Sequence, residues 1–212
     1  MENRKIGILI SGRGSNMLAL LDAIDTGRLQ AEVGVIISNR ADAGGIELAR
    51  ARNCDVLVIP HQGLTRAAHE KLIIDELKRR EIALICLAGY MRLLSREFIE
   101  AFPNSILNIH PSLLPAFPGI DAQRQAIEYG VKLSGCTVHF VNEDCDGGPI
   151  ILQSAVPVYD EDDADTLAAR ILVEEHKIYT QAVQLVLDGN FIITGRSVVC
   201  QSVAKEAKRE HS

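Results

Sequence analysis

Two stretches in the first half of the chain, Ile6-Gly7-Ile8-Leu9-Ile10 and Ile82-Ala83-Leu84-Ile85-Cys86-Leu87, are apolar throughout rather than at every second position. A strand with one wet face alternates polar and apolar residues, so a run without alternation has to be covered on both faces. That confines these segments to the interior of a sheet with helices above and below. Strand candidates at 5–10, 33–38, 56–59 and 82–88 are each separated by an amphipathic stretch, the alternation of βαβ units. Between the first two, Met17, Leu18, Leu20, Leu21 and Ile24 recur at helical spacing, and Gly27 supplies the stop. After residue 109 the texture changes. Pro-rich loops, a helix near 122–129, runs at 135–141 and 150–158, a long helix from about 164 to 187 and a last apolar run at 191–200 predict a partly antiparallel half packed on a sheet edge.

The expected fold class is therefore α/β, a Rossmann-like, mostly parallel twisted sheet with helices on both faces and an antiparallel C-terminal part. With 212 residues and 47% hydrophobic content the chain has ample core for one domain, with a frayed tail at 205–212. A formal charge of -6 lacks the basic excess that phosphate-backbone binding needs, so nucleic acid is not an expected partner. The longest apolar run, 82–88, is far too short to span a bilayer, and residues 1–5 lead into strand sequence without a signal-peptide core, so a soluble, cytoplasmic protein is expected. The five cysteines, Cys54, Cys86, Cys136, Cys145 and Cys200, show no paired short spacing and are expected to be reduced. No spacing among the six histidines suggests a metal site. The acidic run 160–163 reads as a solvated loop ahead of a helix N-terminus.

The chemistry concentrates in Asn108-Ile109-His110-Pro111-Ser112-Leu113-Leu114-Pro115. A strand at 105–109 puts Asn108 and His110 on one side and Leu107 and Ile109 on the other, and Pro111 ends the ladder. An amide donor beside an imidazole, exposed where a strand stops, can stabilise an oxyanion and move a proton, which points to acyl transfer. Ser11-Gly12-Arg13-Gly14-Ser15-Asn16 joins the first strand to the first helix, so its N–H groups form a cradle for a phosphate. A third glycine is missing and Ser38-Asn39-Arg40 has no acid for a ribose diol, so a phosphate monoester fits better than a dinucleotide. The alternative is a tight turn with Ser15 or Asn16 as N-cap.

In the loop Asn142-Glu143-Asp144-Cys145-Asp146-Gly147-Gly148-Pro149, Asp146 is the carboxylate to place beside His110, where it would raise the imidazole pKa; a turn aspartate satisfying its own backbone is the alternative. His139 and Thr137 share strand parity and could face the same site, though a lone strand histidine is more often structural. His61, His69 and His211 are expected at the surface. Glu175 falls on the apolar stripe of the long helix, either snorkelling to the edge or contacting a substrate. Apolar side chains around Arg92 in Gly89-Tyr90-Met91-Arg92-Leu93-Leu94 could line a slot for a flat ring at a strand's carboxyl end.

In combination, Ser11 to Asn16, Leu87 to Arg92, Asn108 to Pro115 and Asp146 to Pro149 resemble the phosphoribosylglycinamide formyltransferases. The resemblance runs over nearly the whole chain. It implies formyl transfer from 10-formyltetrahydrofolate, as co-substrate and without a metal, to the amine of glycinamide ribonucleotide in purine biosynthesis, by a monomer or homodimer. Asn108, His110 and Asp146 would be the catalytic trio, with Thr137 ordering a water. Gly14, Ser15, Asn16 and Glu175 would hold the ribonucleotide. Arg66, Met91, Arg92, Leu93, Leu94, Asn108, Asn142, Glu143 and Asp144 would hold the folate. Residues 1–104 would form the ribonucleotide half and 105–200 the catalytic and folate half. Ala116, Asp121 and Gln123 stand where the family commonly carries a basic residue and histidines. A deformylase or another amine formyltransferase, and a catalytically impaired nucleotide- or folate-binding relative, are the competing readings.

Overall fold

A computed structural model describes residues 3–200. The first half runs β1 (Lys5–Ile10), α1 (Ser15–Asp25), β2 (Glu32–Ser38), α2 (Gly45–Arg50), β3 (Val56–Val58), α3 (Arg66–Arg79), β4 (Leu84–Leu87), α4 (Arg96–Ala101) and β5 (Ile106–His110). The second half adds α5 (Ala122–Tyr129), β6 (Leu133–Phe140), β7 (Ile150–Pro157), α6 (Ala164–Asp188), β8 (Phe191–Thr194) and β9 (Ser197–Cys200). The tail 205–212, with His211, lies outside the described residues, as does the Cys200 side chain.

All these strands join one sheet in the order β3-β2-β1-β4-β5-β6-β7-β9-β8. Pairing is parallel from β3 to β5 and antiparallel from β5 to β7, so the expected mixed α/β fold is the one observed. The apolar run of β1 is buried on both faces, as its lack of alternation required. Ile6, Ile8 and Ile10 pack with α1 and α6, while Leu9 packs with α3 and α4 through Ile73, Leu77 and Phe98. The hairpin β8–β9 closes the edge beyond β7.

Element ends differ from expectation by a residue or two. The run at 82–88 contributes only Leu84–Leu87, because Ile82 N–H donates to Leu77 O and so closes the exit from α3. The strand expected at 105–109 ends one residue later, at His110, immediately before Pro111. At α6, Asp163 accepts from Thr166 N–H while the Thr166 hydroxyl reaches back, a reciprocal cap that explains why the acidic run stops where it does.

The strand order reverses direction of growth at β1 and β4: β2 and β3 lie on one side, β5 on the other. In open α/β sheets the crevice beyond the carboxyl ends at such a point is where ligands bind. Ser11 to Asn16, Ala88 to Leu94 and His110 to Pro115 leave β1, β4 and β5 at that end.

Candidate active site

A cavity of about 620 Å³ opens there, walled by Gly12 to Asn16, by Ala88, Gly89 and Met91, by Ile109 and Pro111, and by Gln123, Leu172 and Glu175 from α5 and α6. Its floor is the start of α1. The residue preceding this helix is Gly14, at φ 78, and no side chain caps the first turn. A Cβ at Gly14 would sit 3.0 Å from Gly45 Cα, so this left-handed, close-packed position suits glycine alone. The alternative of Ser15 or Asn16 as N-cap is thereby overturned, and first-turn N–H groups are left for an anion.

Asn16 is 8% exposed and donates through Nδ2 to Glu175 Oε2 at 2.7 Å, while its Oδ1 is buried without a partner. Glu175 does not snorkel. It is buried against the cavity, and burial pushes its pKa up against the opposing hydrogen bond from Asn16. Arg13, on the rim, has no hydrogen bond or ion pair among the described residues.

The second cluster forms around β5. Leu107 and Ile109 enter the core, and Asn108 and His110 turn the other way, as strand parity predicts. The antiparallel register pairs Asn108 with His139 and His110 with Thr137. Asp146, at φ 51, points its carboxylate into this group rather than onto its own turn. Asp146 Oδ2 accepts from Gly119 N–H at 2.8 Å and lies 3.4 Å from His110 Nδ1, while Oδ1 lies 3.5 Å from Asn108 Nδ2 and 3.6 Å from His139 Nε2. A Cβ at Gly148 would be 1.8 Å from Phe140 O, so the glycine that follows is what lets this loop fold tightly onto β6. The trio thus meets, beside but not within the residues that wall the cavity.

Three expectations need correction here. His110 is buried, not exposed, because Phe117 O covers Nε2 at 2.9 Å and Asp146 covers Nδ1. Its pKa is lowered: burial outweighs the Phe117 carbonyl and Asp146, which both favour the charged ring. The Thr137 hydroxyl is fully used by the protein instead of by a water: it donates to Ser112 O at 2.7 Å and accepts from Leu114 N–H at 3.0 Å and Gln153 Nε2 at 2.9 Å, pinning the Pro-rich loop. His139 faces this cluster, as its parity with Thr137 allowed, 3.2 Å from Asn108 Nδ2 and opposite Asn108 in the β5–β6 register. Burial alone would raise Asp146, but His139, Gly119 N–H and His110 pull its pKa down to about 2.

On the other side of Met91, Arg66 Nη2 donates to Leu93 O at 2.7 Å, which brings Arg66 together with the 91–94 segment. Met91 and Leu93 are 75% and 64% exposed, whereas Arg92 and Leu94 are half-buried. Asn142 Oδ1 accepts from Asp144 N–H at 3.2 Å, and exposed Glu143 faces Arg96 at 3.5 Å. Ala116 presents its carbonyl to Ser112 Oγ, Asp121 precedes α5 at φ 56 and Gln123 reaches the cavity wall. His69 is fully buried and bonded to Ile59 O at 2.8 Å, contrary to its expected surface position. Cys54, Cys86, Cys136 and Cys145 are free thiols, and burial pushes Cys86 and Cys136 up to about 12. Among the described residues no group of three or more metal-ligating side chains is found, and no helix is long and apolar enough to cross a membrane.

Residues 4–183 match the family described as formyl transferase. The chain belongs to that family. Among formyl transferases it is 40% identical over 185 residues to the phosphoribosylglycinamide formyltransferase of Escherichia coli, covering 87% of each chain. It is 42% identical over 200 residues to the human trifunctional purine biosynthetic protein adenosine-3, which takes in 94% of this chain but only 20% of the relative, so the chain spans about a fifth of that protein's length. The crystal structure of glycinamide ribonucleotide transformylase 1 from Symbiobacterium toebii superimposes with a TM-score of 0.91 at 51% identity, covering 93% and 94% of the two chains. A formyl transferase fold therefore accounts for the sheet order and for the opening at its carboxyl edge.

Proposed function

We propose that this formyl transferase moves the formyl group of 10-formyltetrahydrofolate to the amine of N1-(5-phospho-D-ribosyl)glycinamide. One observation carries the reading. An amide donor, a buried imidazole and a carboxylate held near a pKa of about 2 converge at the end of β5, where Ile109 and the following Pro111 wall a cavity that ends on an uncapped helix N-terminus. Phosphate at one end and proton chemistry at the other suit a phosphorylated amine, and the relatives named for this activity support the same substrate pair.

The residues fit the folate. Met91 and Leu93 leave apolar surface in water beside the Arg66 guanidinium, which suits a flat ring carrying an acidic tail. When bound, the folate supplies an electrophilic formyl carbon. Gly14, Ser15 and Asn16 hold the phosphate through backbone N–H groups and the start of the helix dipole. Glu175 and the unpartnered Asn16 Oδ1 accept from substrate hydroxyls or the amine. Asn108 Nδ2 donates to the oxygen on which negative charge develops as the amine attacks, and His110 joins it through Nε2 once that N–H swings from the Phe117 carbonyl, with Asp146 keeping Nδ1. At rest burial favours a neutral His110 ring, and both ring nitrogens already face acceptors, Phe117 O and Asp146. Developing anionic charge completes a set of partners that favours the imidazolium, so the ring takes up charge when the reaction needs it. Asn142, Glu143 and Asp144 lead into Asp146 and border the folate side, and Arg92 and Leu94 complete the slot.

The test is to mix the protein with glycinamide ribonucleotide and 10-formyltetrahydrofolate and follow formyl-folate absorbance. Loss that requires the ribonucleotide supports the proposal; loss without it, or none, refutes it.

A further inference from the structure

The segment 88–95 wears no regular secondary structure, yet it walls the cavity through Ala88, Gly89 and Met91 and carries the exposed apolar surface of Met91 and Leu93. Its backbone is held from outside. Arg66 takes Leu93 O, Glu70 takes Ser95 N–H at 3.1 Å, and the end nearest the cavity is held by Ser11. Ser11 N–H donates to Gly89 O at 3.1 Å and Ser11 Oγ accepts from Met91 N–H at 2.8 Å, so one residue grips both ends of the Gly89-Tyr90-Met91 turn.

A serine hydroxyl that accepts must send its own proton elsewhere. Here the proton goes to Asn39 Oδ1 at 2.6 Å. Ser11 is 3% exposed and Asn39 2% exposed, so neither can substitute water for a lost partner. Asn39 is fixed in turn at the end of β2 by His61, whose Nδ1 lies 3.0 Å from Asn39 O and 3.3 Å from Asn39 Nδ2. One nitrogen cannot donate to the first and accept from the second at once; the shorter contact assigns the proton to Nδ1. The phosphate cradle is tied separately, by Gly45 N–H to Gly12 O and Leu18 N–H to Gly14 O. Thus the Ser11 hydroxyl and the Asn39 side chain bond the 88–95 segment, while the backbone of Gly12 to Asn16 keeps its own ties.

We propose that Ser11 and Asn39 are positioning residues for the folate side of the reaction, holding Met91 where the co-substrate packs. The proposal rests on the folate reading above. It also explains Asn39 itself: its side chain is spent on Ser11 and is not turned to a ribose.

The test uses Ser11→Ala, Asn39→Ala and Asn39→Asp in the full chain, with 5-formyltetrahydrofolate binding by calorimetry and steady-state kinetics with both substrates. Each alanine variant should raise the folate Kd and KM by roughly tenfold, the equivalent of one net hydrogen bond, with ribonucleotide KM within about twofold of wild type. Asn39→Asp keeps the acceptor for Ser11 and should recover most of the folate affinity. A purely structural role would lower melting temperature and active fraction but leave both KM values unchanged, and that result overturns the proposal. Equal rises in both KM values overturn it as well. Wild type that binds folate without ribonucleotide-dependent turnover refutes the transfer reaction while leaving the Kd comparison intact; wild type that binds no folate refutes both.

Discussion

Asp146→Asn isolates the electrostatics of the β5 cluster, because it preserves shape and the contact with Gly119 N–H through its amide oxygen. The carboxylate sits 3.4 Å from His110 Nδ1, with the two side chains only 13% and 5% exposed. Unit charges at that separation attract by about 5 kcal/mol at an effective dielectric near 20 and about 1 kcal/mol in bulk water. A value of about 3 kcal/mol, or roughly 2 pKa units, is the reasonable middle for so little exposure. The His110 pKa, already lowered by burial, should fall by that further amount, and the population of the charged ring near neutrality should drop about 100-fold. Expected is a fall in kcat of about 10² to 10³ with ribonucleotide KM little changed, since the carboxylate acts mainly as charge develops. Ring signals of His110 followed by NMR across a pH titration report the shift directly. A loss of kcat below about tenfold, or an unmoved His110 titration, would refute the electrostatic role. Stability provides a control with its own sign. The folded pKa of about 2 lies below the reference of 3.8, so wild type holds about 2 kcal/mol that is fully present above pH ~4 and lost as pH falls toward 2. The variant should lack this acid-side dependence.

Gly14→Val forces a β-branched residue into φ 78 against Gly45, and should cost about 2 kcal/mol or more in urea unfolding while raising ribonucleotide KM. Arg13→Gln should raise ribonucleotide KM about three- to tenfold and flatten its salt dependence, with formyl-folate KM unchanged, because the free guanidinium stands beside the cradle. His139→Ala removes a neighbour of both Asn108 and Asp146 and should lower kcat about 10²-fold; normal kcat would make His139 a packing residue only. Burial raises the pKa of Glu175, so its folded state favours the proton, and its contribution to stability is present below pH ~4 and lost as pH rises through the raised value. Glu175→Gln should therefore melt higher than wild type near neutral pH while binding the ribonucleotide more weakly.

The doubly apolar runs made the sheet interior legible, because burial of β1 on both faces leaves no other solution for Ile6, Ile8, Leu9 and Ile10. The side of β5 that carries Asn108 and His110 followed from parity alone. What stayed hidden depends on pairings across the fold. His139 was flagged by parity, but its place opposite Asn108 depends on a β5–β6 register that no local pattern encodes, and the Thr137 hydroxyl is taken up by Ser112, Leu114 and Gln153 through loop closure. Burial of His110 comes from Phe117, seven residues along in a loop whose path needs tertiary contacts. A carboxylate partner suggests a raised imidazole pKa in sequence; only the depth of the site reveals that desolvation prevails. Ser11 looked like part of a cradle, yet its hydroxyl faces Met91 and Asn39, brought close by two separate strand ends.

Following the formyl carbon itself tests formyl transfer most directly. With ¹³C-formyl-labelled 10-formyltetrahydrofolate and glycinamide ribonucleotide, carbon NMR should show the label arriving in an amide on the ribonucleotide, one equivalent for each tetrahydrofolate released. Label accumulating as free formate, or remaining on the folate while the ribonucleotide is unchanged, would contradict it.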